Sequence, residues 1–191
     1  MSGVWLTQNS RLLQSVLDLY PLSAYDVGYL LNPTLLQFGA LQPSTLLNAP
    51  FAQTADIWGD YAIKCTSRNL AEGNARSKAP TWKFVFDAGF KFHGATVPYI
   101  FGSSNSSTST LGTQLKEYFI SMIVNHGPNE RVDGLMRNLP SKADIPDYSV
   151  KRLGRPSVLY VNDFGSSIPI GDPDDTHKCD SFRSRSDVFR N

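Results

Sequence analysis

The sequence predicts an α/β chain, and three observations carry that reading. Apolar residues recur at helical spacing in three stretches, within 10–20, 54–68 and 111–123. Aromatic side chains alternate with period two from Thr81 to Asp87. A second period-two run covers Ser157 to Asn162. At 191 residues, 41% hydrophobic and 12% aromatic, the chain is long and apolar enough to bury a core and too aromatic for a disordered segment. Eighteen Lys and Arg against seventeen Asp and Glu leave a net charge of +1, too small a basic excess for a nucleic-acid partner. No apolar run approaches the roughly 20 residues that span a bilayer. The first residues, Met1 to Gln8, lack the basic start and apolar centre of a signal peptide, so the chain reads as soluble and, if Met1 is the true start, cytoplasmic.

The first helix is expected from Ser10 to Tyr20. Leu13, Val16, Leu17 and Tyr20 lie at i, i+3, i+4 and i+7, Ser10 is the expected N-cap, and Pro21 stops the helix. Residues 22–52, rich in Leu, Pro and Asn, read as loop with one short helix. The second helix is capped by Thr54 and turns Ile57, Trp58, Tyr61, Ala62 and Cys65 inward, with Asp60, Lys64 and Arg68 outward. Glu72-Gly73-Asn74-Ala75 is expected to break it. Trp82, Phe84 and Phe86 then alternate with Lys83, Val85 and Asp87, and Val85 on the second face implies that neither side of this strand is freely exposed. A glycine-bearing loop, Ala88 to Gly94, contains His93. Residues 102–110 form a Ser/Thr-rich loop with the sequon Asn105-Ser106-Ser107, a glycosylation acceptor at Asn105 if the chain is secreted. A third helix follows, its inner face Leu111, Leu115, Phe119, Met122 and Ile123, ended by Gly127-Pro128. Residues 128–156 are polar and proline-punctuated. In the strand at 157–162, Val158 and Tyr160 face away from Leu159 and Val161, and the arginine-bearing tail from Ser181 to Asn191 is expected to fray.

Chemistry-bearing motifs are few. Two cysteines and three scattered histidines, His93, His126 and His177, build no metal site of recognisable spacing. There is no dinucleotide-binding glycine pattern, P-loop or Gly-x-Ser-x-Gly elbow, and Gly102-Ser103-Ser104 and Gly165-Ser166-Ser167 read as turns. No metal and no cofactor are expected. His126, beside a helix stop, reads as a partner of the helix C-terminus, and His177 among aspartates as a solvated surface group.

The order of these parts nevertheless carries a resemblance. Ile57-Trp58-Gly59-Asp60-Tyr61-Ala62-Ile63-Lys64-Cys65 leads to an aromatic strand, the loop His93-Gly94-Ala95, Tyr99-Ile100-Phe101-Gly102, a helix, Gly127-Pro128-Asn129 and the late Cys179. From about Tyr20 to Cys179 the chain resembles the C-terminal part of type-B carboxylesterases, the α/β-hydrolases that include cholinesterases and fungal lipases. The resemblance implies the terminal strands and flanking helices of a hydrolase sheet. On that scheme residues 1–53 are helix and irregular cover, 54–126 a helix–strand–His loop–helix core, and 127–191 an irregular tail with a short strand. It implies a carboxylic ester hydrolase of the serine type, a secreted location and an ester or lipid substrate. His93 matches the family's catalytic histidine, whose imidazole takes the serine proton and returns it to the departing alcohol. Cys65 and Cys179 match a late disulfide, whose closure would stabilise by up to about 4–5 kcal/mol in the chain-entropy model. Two reduced cysteines in a cytosolic chain remain the alternative.

Three features depart from the family. Ile145-Pro146 stands where it has Trp-Pro, Cys179-Asp180-Ser181-Phe182 where it has Cys-x-Phe-Trp, and the serine, the acid and the oxyanion glycines have no counterpart before His93. Glu72-Gly73 lies in the wrong place to be the acid and reads as a turn. The resemblance therefore implies a chain inactive alone that needs an N-terminal hydrolase portion. The alternatives are a non-catalytic cholinesterase-like binding protein and a truncated remnant.

Overall fold

A computed structural model describes residues 2–25, 49–88, 96–102, 110–131, 142–162 and 167–184. Its architecture is mixed α/β, with helices and a small, open, mixed sheet of four strands. The chain divides into two compact units, Met1–Asn69 with Asp174–Asn191, and Leu70–Pro173.

The first unit begins with α1 (Ser2–Leu17). Ser10 lies inside this helix rather than at its start, because the residues before it are already helical and no end is left for it to cap. Val16 and Tyr20 are buried as expected, whereas Leu13 is exposed. After the 3₁₀ turn Leu22–Tyr25 and the undescribed stretch comes α2 (Ala49–Gly59), a π-helical turn Asp60–Lys64, and α3 (Cys65–Arg76). Thr54 caps nothing: its Oγ1 donates to the Pro50 carbonyl one turn back at 2.8 Å.

The predicted inner face is only half right, and beyond Asp60 the π-turn is the reason. Each residue of an α-helix turns the side-chain direction by about 100°, so a wide turn resets the phase of all that follows. Cys65 is buried, but Trp58 is 64% exposed, while Asp60 and Arg68, both expected outside, are only 7% and 9% exposed. Nor does the helix break at Gly73. It runs to Arg76 and closes with a Schellman pair, Ala79 N to Asn74 O and Lys78 N to Ala75 O, both 3.1 Å, with Lys78 left-handed at φ 60°. A Cβ on Gly73 would meet nothing within 4 Å. Gly73→Ala is therefore expected to raise stability by about 0.5–1 kcal/mol, read as a higher urea midpoint with an unchanged slope.

The unit closes with α6 (Thr176–Arg183), capped by Asp175, whose carboxylate accepts from the amides of His177 (2.9 Å) and Lys178 (3.2 Å). Ser181 to Arg183 are thus helical where fraying was expected; His177 is exposed, as expected. Cys65 and Cys179 form a disulfide inside a cluster of Val16, Tyr20, Tyr25 and Phe182.

The second unit is built on β3 (Arg155–Asn162). β1 (Phe84–Asp87) runs parallel to it, with Phe84 opposite Leu159 and Asp87 opposite Asn162. β2 (Lys151–Arg152) and β4 (Ser167–Gly171) pair with it antiparallel. The period-two reading holds on both strands. Leu159 and Val161 join Phe84, Phe86, Ala88, Leu111, Leu115, Tyr118 and Ile145 in one cluster, and Val158 and Val85 join Ala71, Tyr148 and Ile170 in another. Trp82, Phe84 and Phe86 are half-buried rather than open apolar edges.

β4 was not foreseen, since Pro169 and Gly171 imitate turn residues. Its register removes the cost. Leu159 N donates to Lys83 O on the β1 side, so the pair Leu159–Pro169 is a non-hydrogen-bonded one and asks no N–H of the proline. Gly171 is needed because a Cβ there would lie 2.9 Å from the Arg152 carbonyl oxygen.

The third predicted helix is α5 (Thr110–Asn125), preceded by the short α4 (Val97–Ile100). Leu111 and Leu115 are buried, but Phe119, Met122 and Ile123 are exposed, and the inner face continues instead through Gln114, Glu117, Tyr118 and Ser121. Polar side chains hold this face because each that bonds finds a fixed partner. Ser121 Oγ lies 2.6 Å from Gly127 O and 2.7 Å from Glu130 O, its single proton serving one carbonyl at a time. His126 follows the last helical residue in the left-handed region, at φ 57°, exposed to solvent.

Candidate functional site

His93, the residue on which the sequence places catalysis, lies outside the described residues, as does Asn105. The structure does describe both flanks of the His93 segment. β1 ends at Asp87, whose carboxylate accepts a hydrogen bond from the Tyr160 hydroxyl of the neighbouring strand. Ala88 is fully buried in the core under α5. On the far side Tyr99 of α4 meets Phe86 edge-on, with ring centroids 5.4 Å apart. Gly102 ends this short helix, and its amide donates to the Pro98 carbonyl at 3.1 Å, too close for any side chain. The flanks are therefore fixed by a buried alanine, an aromatic pair and a carboxylate–phenol bond. They sit at the carboxyl end of a parallel strand pair, where open α/β sheets place their ligands.

Elsewhere in the second unit, charged side chains are buried and paired. Lys83 Nζ lies 2.8 Å from Asp172 Oδ2, which also accepts from the Tyr148 hydroxyl at 2.6 Å. Lys142 Nζ donates to the Pro128 and Glu130 carbonyls at 2.7 and 3.1 Å, lies 3.7 Å from Glu117 Oε1 and sits over the Tyr118 ring. Burial lowers the Lys142 pKa despite Glu117, and burial followed by the Glu117 charge raises that of Tyr118.

In the first unit, Asp60 accepts from the Tyr20 hydroxyl at 2.7 Å and from Lys64 Nζ at 2.6 Å, with Lys178 Nζ at 3.7 Å. Burial, then the Asp60 bond, raises the Tyr20 pKa; for Lys64 burial acts against the charge, but Asp60 outweighs it and the pKa rises. Sequence reasoning missed the buried Asp60 because spacing alone turned it outward, whereas Lys64 is exposed as expected. Gly59-Asp60-Tyr61, quoted for the resemblance, was the only signal within reach.

These shifts predict a fold that weakens at alkaline pH. Folded pKa values raised above the unfolded ones make Tyr20, Tyr118 and Lys64 contribute stability fully below about pH 10, lost as pH rises through the folded values. Lys142, lowered, contributes in the opposite sense, gaining as pH rises from its folded value. Three groups against one predict a melting temperature that falls above about pH 10, with a shallower fall in Tyr20→Phe. An equal slope in that variant would exclude Tyr20 as a cause.

A shallow cleft of about 220 Å³, lined by Ala75, Lys78, Ala79, Pro80, Asp147 and Ser149, opens in the second unit. It is small for an organic ligand. Its carboxylate is already engaged, since Asp147 Oδ1 accepts from Ser149 N at 2.8 Å and Ser149 Oγ at 2.5 Å, which lower its pKa. Among the described residues no group of three or more His, Cys, Asp and Glu could hold a metal ion, and no helix is long and apolar enough to cross a membrane. Comparison with known protein families, with curated proteins and with solved structures finds no match.

Proposed function

We propose that this chain is the C-terminal portion of a carboxylic ester hydrolase of the serine type, to which it contributes His93 as general base and acid. The observation that carries the reading is positional. The aromatic strand β1 lies parallel to β3, and its carboxyl end leads within a few residues to His93-Gly94. A triad histidine needs such a place, because from a loop above the strand ends an imidazole reaches a nucleophile presented by another strand. The Cys65–Cys179 disulfide is the pairing the resemblance implies, and it favours an oxidising, secretory compartment.

In the complete enzyme a serine attacks the ester carbonyl while His93 takes its proton. A carboxylate orients the imidazole, backbone amides hold the oxyanion, and His93 then protonates the departing alkoxide. The serine, the acid and the amides are supplied by an N-terminal portion, and the substrate is an ester or a lipid.

The test is labelling by a fluorophosphonate, which reacts with activated serines. Residues 1–191 alone are expected to remain unlabelled and to leave p-nitrophenyl butyrate intact. Joined to a portion bearing Gly-x-Ser-x-Gly, the chain is expected to label, and His93→Ala to lower turnover about 10²–10⁴-fold. Labelling of 1–191 that survives His93→Ala would refute the assignment. A folded, joined chain that never labels would favour a binding protein without catalysis.

A further inference from the structure

The hairpin that joins β2 to β3 combines two locally unfavourable features. Its turn consists of Leu153 and Gly154, between the paired residues Arg152 and Arg155. Both turn residues lie in the left-handed region, at φ 52° and 78°. Asparagine, aspartate and glycine suit the first place of such a turn because they tolerate positive φ, whereas a bulky leucine there is strained. Leu153 is 95% exposed, so packing on the fold does not offset the strain. The second feature is electrostatic. Arg152 and Arg155 stand directly opposite each other, and like charges placed so across a strand pair repel.

The tip is also strongly cationic. From Ser149 to Pro156 the chain reads Ser-Val-Lys-Arg-Leu-Gly-Arg-Pro, with three cations and no carboxylate. Lys151, Arg152 and Arg155 are exposed, as is Val150 at the base of the hairpin. Arg155 Nη1 donates to the Asp172 carbonyl at 3.3 Å, which draws that guanidinium back along the sheet and leaves Lys151 and Arg152 as the outward charges. A lone leucine on a convex turn offers too little area for a protein interface, which takes about 800 Å² from each partner. A bilayer asks for no complementary shape. Its headgroup boundary accepts a single apolar side chain, and anionic headgroups meet the cations beside it.

We propose that the β2–β3 hairpin is a membrane-surface contact, with Leu153 inserted at the headgroup boundary of an anionic bilayer and Lys151 and Arg152 against its headgroups. Insertion removes Leu153 from water, which compensates the strain of its backbone, and headgroup anions screen the repulsion between Arg152 and Arg155. The contact rests on the hairpin alone, so it stands or falls separately from the role given to His93.

Co-sedimentation of residues 1–191 with lipid vesicles at millimolar lipid tests the contact. The chain is expected to bind vesicles of about 70% phosphatidylcholine and about 30% phosphatidylserine, and to bind pure phosphatidylcholine at least about tenfold more weakly. Lys151→Gln with Arg152→Gln is expected to lower binding about 25-fold, about fivefold for each charge near the surface. Leu153→Asn is expected to lower binding about tenfold while raising the melting temperature, since asparagine accepts the left-handed turn. Binding and stability then move in opposite directions, which separates lost contact from lost fold. A lower melting temperature in Leu153→Asn would show that the leucine serves the fold and would overturn the proposal. So would absence of wild-type binding to the anionic vesicles, or equal binding to the neutral ones. Binding lost in the charge variant but kept in Leu153→Asn would assign the tip to an acidic protein surface and overturn it too.

Discussion

Replacing Asp172 by alanine is expected to destabilise the second unit by about 3–5 kcal/mol, the cost of breaking a buried ion pair from one side. Asp172 is 2% exposed and stands where β4 ends, its carboxylate shared by the Lys83 ammonium on the β1 side and the Tyr148 hydroxyl. Removing it leaves an ammonium on a side chain only 9% exposed without this counter-charge, and a buried phenol without this acceptor. Asp172→Asn keeps an acceptor for Tyr148 while losing the charge, and is expected to fall between wild type and alanine. Urea denaturation followed by tryptophan fluorescence measures both. A loss below about 1 kcal/mol in Asp172→Ala would mean that Lys83 regains water at little cost.

Leu159→Ala is expected to cost about 2–5 kcal/mol. Leu159 is wholly buried at the centre of the strand that both β1 and β4 pair with. Its side chain lies in the cluster of Ala88, Leu111, Leu115, Tyr118 and Ile145, which α5 closes. A sheet paired on both sides of the strand and covered by a helix has little freedom to collapse onto the space left, which favours the upper part of that range. Val158→Ala, on the opposite face, removes fewer atoms and is expected to cost less. Equal losses at the two positions would contradict the assignment of the larger core to the α5 side.

Of the candidate site the sequence marks a strand, a loop after it and His93, which itself lies outside the described residues. His93 and its neighbours could be marked because the aromatic alternation of Trp82, Phe84 and Phe86 announces a strand wherever it stands, and glycines beyond it announce a loop. The pairing of that strand could not be read, since parallel order with β3 joins residues far apart in the chain. Asp87 shows the same divide. Its place at the strand end is a matter of spacing, but its bond from Tyr160 exists only because the register sets Val85 opposite Tyr160 and Asp87 opposite Asn162.

Hydrophobic periodicity, a local property, determined by itself the existence of α1 and α5, the aromatic strand and the strand through Val158 and Val161. Tertiary structure decided where the inner face of a helix departs from that periodicity. On α5 it buried Gln114, Glu117 and Ser121 and left Phe119, Met122 and Ile123 outside. Burial of a polar side chain is favoured where a partner waits at the far end: the carbonyls of Gly127 and Glu130 wait for Ser121 and the ammonium of Lys142 for Glu117, while Gln114 Oε1 is buried without a hydrogen-bond partner among the described residues. At Asp60 the wide helical turn supplied the same service by aiming the carboxylate at Tyr20 and Lys178. Lys142, Tyr20 and Lys178 come from distant parts of the chain, which no window of neighbouring residues contains, whereas the carbonyls that meet Ser121 are brought to it by the turn just after the helix.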